Sequence, residues 1–414
     1  EVMSSAALAT YDNFTISGTC RQADESTNCV DDSSNQIRVA YNGTLQGQVD
    51  TTVDGAWTIT GLTAPASGTV ITVFIDGSAD ANEAVAVTKY DGSGSISGVT
   101  LYQEHLTIGS DDTGATVSNA DLALYDNSVS GDEDVFHEVD AANDLTVDTT
   151  GNLTSEELHI LSGWTFRPDS ASSGNVTAQH IELKGTLSAD GNAVYVQGNW
   201  QNSSGTFTAG TSTVNFNGTA IQNIIGGGTG TGVDDTGKDF YNVTISNTTA
   251  AVQLSSTETE IDGTLQINAS AVFYLNGVAF DMNGVLSNNG TLRLKGSENV
   301  AFGTQDINSG TWEYVGDGPA TASTYNVIDF GTNDYFNLVI NDTSASSSDM
   351  FRLVGTLRVF GSVTVSDGTL DADTNNANIT VAGNWTEAAA GVFIEGTEKV
   401  TFDGVADQTI TTNG

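Results

Sequence analysis

The chain has 414 residues, and its 52 Asp and Glu against 11 Lys and Arg give a formal charge of −41. So few cations exclude a nucleic-acid binder, which needs a basic surface to displace phosphate counterions, and leave little means of holding anionic lipid. The 46 Gly and 3 Pro, among abundant Thr, Ser, Asn and Val, favour β-strands joined by tight turns over helices.

No run approaches the roughly 18 apolar residues of a membrane span, and no charged-then-apolar leader opens the chain, so direct membrane insertion is not expected. Glu1 is not an initiator Met and Gly414 falls inside a repeat, which reads as a processed or excised piece of a longer secreted protein. Alternating strands are expected at Phe14–Gly18, Gln36–Tyr41, Gly55–Thr60, Gly68–Asp76, Ala84–Tyr90 and Gly98–Leu106, with Asn-Gly and Asp-Gly turns between them. That spacing predicts an immunoglobulin-like β-sandwich over residues 1–104, with Trp57 between its sheets. Cys20 and Cys29 enclose eight polar residues between two strands, and a disulfide closing that loop fits an oxidising compartment.

Residues 105–139 form a bridge, and from 140 to 414 the chain repeats itself. VNFNGTAIQNI at Val214–Ile224 matches VTFDGVADQTI at Val400–Ile410 in six of eleven positions. Each follows a Gly-Asn-Trp, ending at Trp200 and Trp385. WEYVGDG at Trp312–Gly318 is a third copy, so the unit is about ninety residues, as offsets of 98 and 88 require. DFYNVTISN at Asp239–Asn247 returns as DYFNLVIND at Asp334–Asp342, and DGTLQINAS at Asp262–Ser270 is read as returning in VGTLRVFGS at Val354–Ser362. Short apolar triplets recur too closely for closed sandwiches. They predict a right-handed parallel β-helix of some twelve coils, with Trp200, Phe216, Trp385 and Phe402 as repeat core.

The run from Gly198 to Ile267, GNW…GTFTAG…VNFNGTAIQNI…FYNVTISN…GTLQI, resembles long secreted surface proteins of bacteria. Their β-helix repeats read GNW, VxFxG, QxI, FxNLxI and GTL in that order. ISGVTLYQEHLTI at Ile96–Ile108 resembles the bridge those proteins carry after an immunoglobulin-like module. The resemblance implies a cell-surface or extracellular structural role and no catalytic residues. The third repeat departs from the pattern, lacking Gly-Asn-Trp and carrying Tyr314-Val315-Gly316.

Candidate chemistry is sparse. Asp111-Asp112 and Asp234-Asp235 are paired carboxylates in turns, where Asp is favoured for turn chemistry alone. His159 and His180 lie 21 residues apart, close to one coil, and could stack as a two-His metal site or a polar ladder. Asp76, Ser78, Asp80 and Asn82 alternate in one loop and Asp371, Asp373 and Asn375 in another, and calcium is the ion such oxygen donors would take. Val87 stands where an EF loop needs its bidentate Glu. Sequons include Asn152, Asn175 and Asn242.

The sequence thus reads as an all-β, non-enzymatic extracellular protein serving as a stalk, adhesin, or filament or surface-layer subunit. Its partners would be other copies of itself, other surface proteins or glycans. The alternative is a β-helix that binds or cleaves polysaccharide.

Overall fold

A computed structural model describes residues 13–32, 35–77, 82–110, 114–147, 156–169, 173–226, 237–255, 258–318, 322–343 and 349–413. The protein is 48% strand and 2% helix, so the bias against helix in the composition is realised. Its strands form a β-solenoid of about 13 turns. The chain divides into two compact units, Glu1–Ala193 with Ser204–Thr208, and Val194–Ser203 with Ala209–Gly414.

The first unit begins as two sheets. In one, Phe14–Arg21 pairs antiparallel with Ala56–Leu62 and parallel with Ile96–Tyr102. In the other, Gln36–Tyr41, Val70–Asp76 and Val85–Lys89 pair antiparallel in that order. Their facing side chains, among them Ile16, Trp57, Val99, Val39, Val73 and Ala86, make one apolar cluster. Trp57 is buried within it, as its place after an Asp-Gly turn predicts. Burial of each large aliphatic side chain stabilises the fold by about 1.5–3 kcal/mol, so this cluster is what draws the two sheets together.

The second sheet then changes character. Val85–Lys89 pairs parallel with His105–Ile108, which pairs parallel with Glu157–Ile160 and through it with His180–Leu183. The expected single strand Gly98–Leu106 is therefore two strands. Glu104, at φ 61° in the left-handed region, turns the chain from the first sheet into the second, and its N–H donates to Glu83 O at 2.7 Å. A second wall of the coil stacks Thr116–Val117, Thr165–Phe166, Thr186–Ser188 and Thr206–Thr208 in parallel. Two one-turn helices, Asn119–Leu122 and Asn127–Ser130, are capped by Ser118 and Asp126.

In the second unit Trp200–Gln201, Gln222–Ile225, Val252–Leu254, Val272–Tyr274, Thr291–Leu294, Thr311–Tyr314 and Asn337–Asn341 stack in parallel as one wall. Val363–Asp371, Trp385–Ile394 and Ile410–Thr411 continue it. Alternate residues such as Leu292, Leu294, Leu338 and Ile340 are fully buried, the period of two that a strand wall requires.

The repeated motif has a structural cause at the coil corners. Gln222 Oε1 accepts from Gly218 N at 2.9 Å while its Nε2 donates to Val196 O and Gly198 O, both at 2.8 Å. Gln408 does the same for Gly404 N, Val381 O and Gly383 O. The glycine is obligatory, because a Cβ on Gly218 would lie 1.9 Å from Gln197 O and one on Gly404 2.0 Å from Ala382 O. Asn199 and Asn384, of the two Gly-Asn-Trp elements, accept from Asn223 N and Thr409 N, each at 2.8 Å. In the third repeat no Gln stands at this corner. Buried Asp349 replaces it, accepting from Ser323 N at 2.7 Å and Asp317 N at 3.3 Å beside Gly316.

One sequence alignment is corrected. Asn242 Oδ1 accepts from Thr264 N and Asn337 Oδ1 from Ser362 N, each at 2.9 Å. Gly263 thus corresponds to Gly361, an offset of 98 like that of Val214 and Trp312, and not to Gly355. The Gly-Thr-Leu identity is coincidental, because glycine recurs wherever a coil backbone passes close to its neighbour.

Candidate functional site

Three strands of the first unit read HLTI, ELHI and HIEL. Their Leu and Ile fill the coil interior, with Leu106, Ile108, Leu158, Ile160, Ile181 and Leu183 at 0–1% exposure. The alternate residues must face the other way. In register, Glu157 lies beside His105 and His180, and His159 beside Thr107 and Glu182. That polar face is not solvated: His159 is 0%, His105 1% and Glu182 6% exposed.

The cover is the disulfide loop. Cys20 and Cys29 are bonded, and Cys29 N donates to Cys20 O at 3.1 Å. Asp24 accepts from the amides of Ser26 and Thr27 and from the Thr27 hydroxyl, bonds that hold its carboxyl down to about 2. Glu25 follows with φ 58°, and its carboxylate meets Lys184 Nζ at 2.8 Å. Tyr102, on the strand beside the loop, lies with its ring 5.1 Å from that of His159 and 5.6 Å from that of His105.

Five ionisable groups besides Lys184 converge here. Lys184 Nζ is also 2.8 Å from Glu182 Oε2, which is 3.2 Å from His159 Nε2. His105 Nε2 stands 3.6 Å from Glu157 and 3.8 Å from Glu25, while its Nδ1 donates to Gln103 O at 2.6 Å. Burial pushes His159 down to about 3 and Glu157 up to about 7, and it raises Glu182. For His105 burial opposes the charge, yet the carboxylates of Glu25 and Glu157 outweigh it and raise the imidazole. The His105 imidazole, aided by Lys184, holds Glu25 below the usual carboxylate range. Two ligand-like triads share Glu25, one with His159 and Glu182 and one with His105 and Glu157. In each, the donor atoms lie within 4.8 Å of one another.

The sequence pair His159 and His180 sits on adjacent rungs but does not stack. The coil there takes 23 residues, from Glu157 to His180, so His159 falls on Glu182. His105, Glu25, Glu157 and Glu182 escaped sequence reasoning. The one signal for three of them was the shared polar-apolar alternation of the three short strands.

Of the first oxygen-rich loop, Asp76 pairs with Arg38 at 2.7 Å and gathers with Asp132 and Asp134. Asp134 accepts from Gly77 N and is pushed up to about 6 by burial. Asn82 accepts from Gln103, while Ser78 and Asp80 lie outside the described residues. In the second loop, buried Asp371 bonds Arg352 and Thr374, Asn375 donates to Leu353 O, and Asp373 is exposed. Asp111, Asp112, Asp234, Asp235 and Asn152 lie outside the described residues. Asn175 and Asn242 use their side chains to bond neighbouring coils.

Trp200, Phe216 and Trp385 are buried, Trp200 against Phe240 and Trp385 against Phe393. Phe402 is half-buried on a strand that pairs with Ile379–Val381. A further concavity of about 290 Å³ in the second unit is lined by Phe302, Thr304, Gln305, Ile307, Phe330 and Asn333.

No protein-family model matches the chain, and neither curated proteins nor solved structures give a significant match. What the fold and site define is a disulfide-bonded β-solenoid repeat protein without a helix long and apolar enough to cross a membrane among the described residues.

Proposed function

We propose that the protein is an extracellular structural element of a cell surface: a stalk, an adhesin, or a subunit of a filament or surface layer. In this reading residues 1–104 are an immunoglobulin-like module and residues 140–414 a right-handed β-helix. The observation that carries it is the use to which the repeat is put. Gln222, Gln408, Asn199, Asn384, Asn242 and Asn337 each bond the backbone of an adjoining coil, so what recurs in the sequence is coil geometry and not a reacting group. The disulfide supports an oxidising compartment, compatible with secretion. The test is immunogold electron microscopy of intact cells and of isolated envelopes. Labelled surface projections, fibres or a lattice are expected, and label confined to the cell interior would refute the proposal.

The polysaccharide reading keeps one observation. Phe302 and Phe330, both half-buried with ring centroids 6.1 Å apart, offer a stacking surface in the second unit. Asp306, on the adjoining hollow, accepts from the amides of Asn288 and Asn308. That chemistry suits glycan binding more than cleavage. Glycan titration of wild type and Phe330→Ala decides it, since loss of binding in the variant is required.

A further inference from the structure

The cluster under the disulfide loop contains buried imidazole nitrogens without a hydrogen-bond partner. His159 is fully buried, and neither of its ring nitrogens has a hydrogen-bond partner. Buried polar groups are otherwise almost always paired. Yet its Nε2 stands 3.2 Å from a Glu182 oxygen, and both lie within 4.8 Å of a Glu25 oxygen. His105 repeats the pattern. Its Nδ1 proton is spent on Gln103 O, so in the neutral ring the lone pair of Nε2 faces the carboxylates of Glu25 and Glu157, again with no hydrogen bond. A nitrogen lone pair set among carboxylate oxygens is a site for a bound cation, a proton or a metal ion. An imidazole anchored through Nδ1 to a backbone carbonyl is also the arrangement that orients a histidine for metal binding through Nε2.

We propose that Glu25, His159 and Glu182 bind one divalent first-row transition ion of the zinc class, with Glu25 bridging towards His105 and Glu157. Imidazole nitrogen mixed with carboxylate oxygen suits zinc and its neighbours, whereas calcium takes oxygen donors alone. Lys184, whose Nζ touches both Glu25 and Glu182, is the ion's competitor; its side chain is 34% exposed and can swing to solvent. The ion would tie the Cys20–Cys29 loop to three successive coils, through Glu25 on the loop and His105, His159 and Glu182 on the rungs.

The test uses the full chain with its disulfide intact, stripped with a chelator and titrated with zinc chloride or calcium chloride by calorimetry. One zinc per chain is expected, with calcium failing to compete for it. His159→Gln and Glu25→Gln should each weaken zinc by at least about tenfold with an unchanged far-ultraviolet circular dichroism spectrum. Lys184→Met should tighten it, because the competing ammonium is gone. If either ligand variant fails to fold, the imidazole nitrogen resonances of the wild type decide the matter, and those of His159 must shift on adding zinc. No zinc bound by the wild type, binding indifferent to both ligand variants, or His159 resonances that do not move would each overturn the proposal.

Discussion

At the scale of single residues, the corner glutamine does the most for its size. Gln222 is fully buried and holds the Gly218 amide and the Gly198 carbonyl, and adds a second bond to the Val196 carbonyl, which already accepts from Asn217 N. Removing it takes the partner from Gly218 N and from Gly198 O in a dry corner, at about 1–3 kcal/mol for each group left without one. Gln222→Ala is therefore expected to destabilise by about 2–4 kcal/mol in urea unfolding of the full chain. Gln408→Ala, at a half-exposed corner where water can substitute, should cost less. Equal losses would show that the bonds, and not their burial, set the cost. Buried histidines give a second test. Burial pushes His137 down to about 4 from its ordinary value near 6.5. Between those values the unfolded chain binds a proton that the folded one refuses, so this contribution is present above pH 6.5 and is lost as pH falls towards 4. The slope is at most about 1.4 kcal/mol per pH unit for one such group. His159 acts in the same direction. Glu157, raised to about 7, acts oppositely, losing its contribution as pH rises from 4.5 to 7. Urea midpoints measured from pH 6.5 to 4.5 should fall less steeply in His137→Gln than in wild type, and parallel curves would rule out a neutral His137.

At the scale of elements, the disulfide loop is the piece whose removal should act locally. Closing a ten-residue loop is worth about 2.7 kcal/mol in the chain-entropy account. The double variant Cys20→Ser with Cys29→Ser should lose about that much. Its amide exchange should rise over residues 20–29 and along Glu157–Ile160, whose polar face Glu25 covers, but not along Asn337–Asn341 in the second unit. A uniform rise would mean that the loop carries no local role. Much of this architecture could be read in advance. Turn dipeptides and alternation located most strands of the N-terminal sheets, the lone cysteine pair gave the disulfide, and the closely spaced apolar triplets gave the coils. The strand break at Glu104 was hidden because nothing in Gly98–Leu106 marks a left-handed residue, and Glu is rarely one. The repeat slipped by one strand at Gly355 because turn glycines look alike whichever coil they serve. The histidine–glutamate cluster was the least legible element. Its members lie from 2 to 157 positions apart in the chain, and a coil of 23 residues in place of 21 decides that His159 meets Glu182 and not His180. Local pattern carries no information on either point.

At the scale of the whole molecule, charge is the term the fold leaves unbalanced. Seven of the eleven Lys and Arg, namely Arg38, Lys89, Arg167, Lys184, Arg293, Arg352 and Arg358, are already ion-paired. With 11 cations against 52 acids, most of the acids are left without a counter-charge. Each exposed ion pair contributes about 0–1 kcal/mol and is weakened by salt. The mutual repulsion of an excess of 41 negative charges is weakened too, and by more, because it sums over many pairs. The Debye length falls from about 30 Å at 0.01 M salt to about 8 Å at 0.15 M, so most of that repulsion disappears over this range. Sodium chloride should accordingly raise the melting temperature by a few degrees. It should also shift the light-scattering second virial coefficient from strongly repulsive towards zero as copies approach one another. A protein held chiefly by its surface ion pairs would respond in the opposite sense. A melting temperature that falls with salt would therefore place the balance of the fold in those seven pairs and not in its apolar coils.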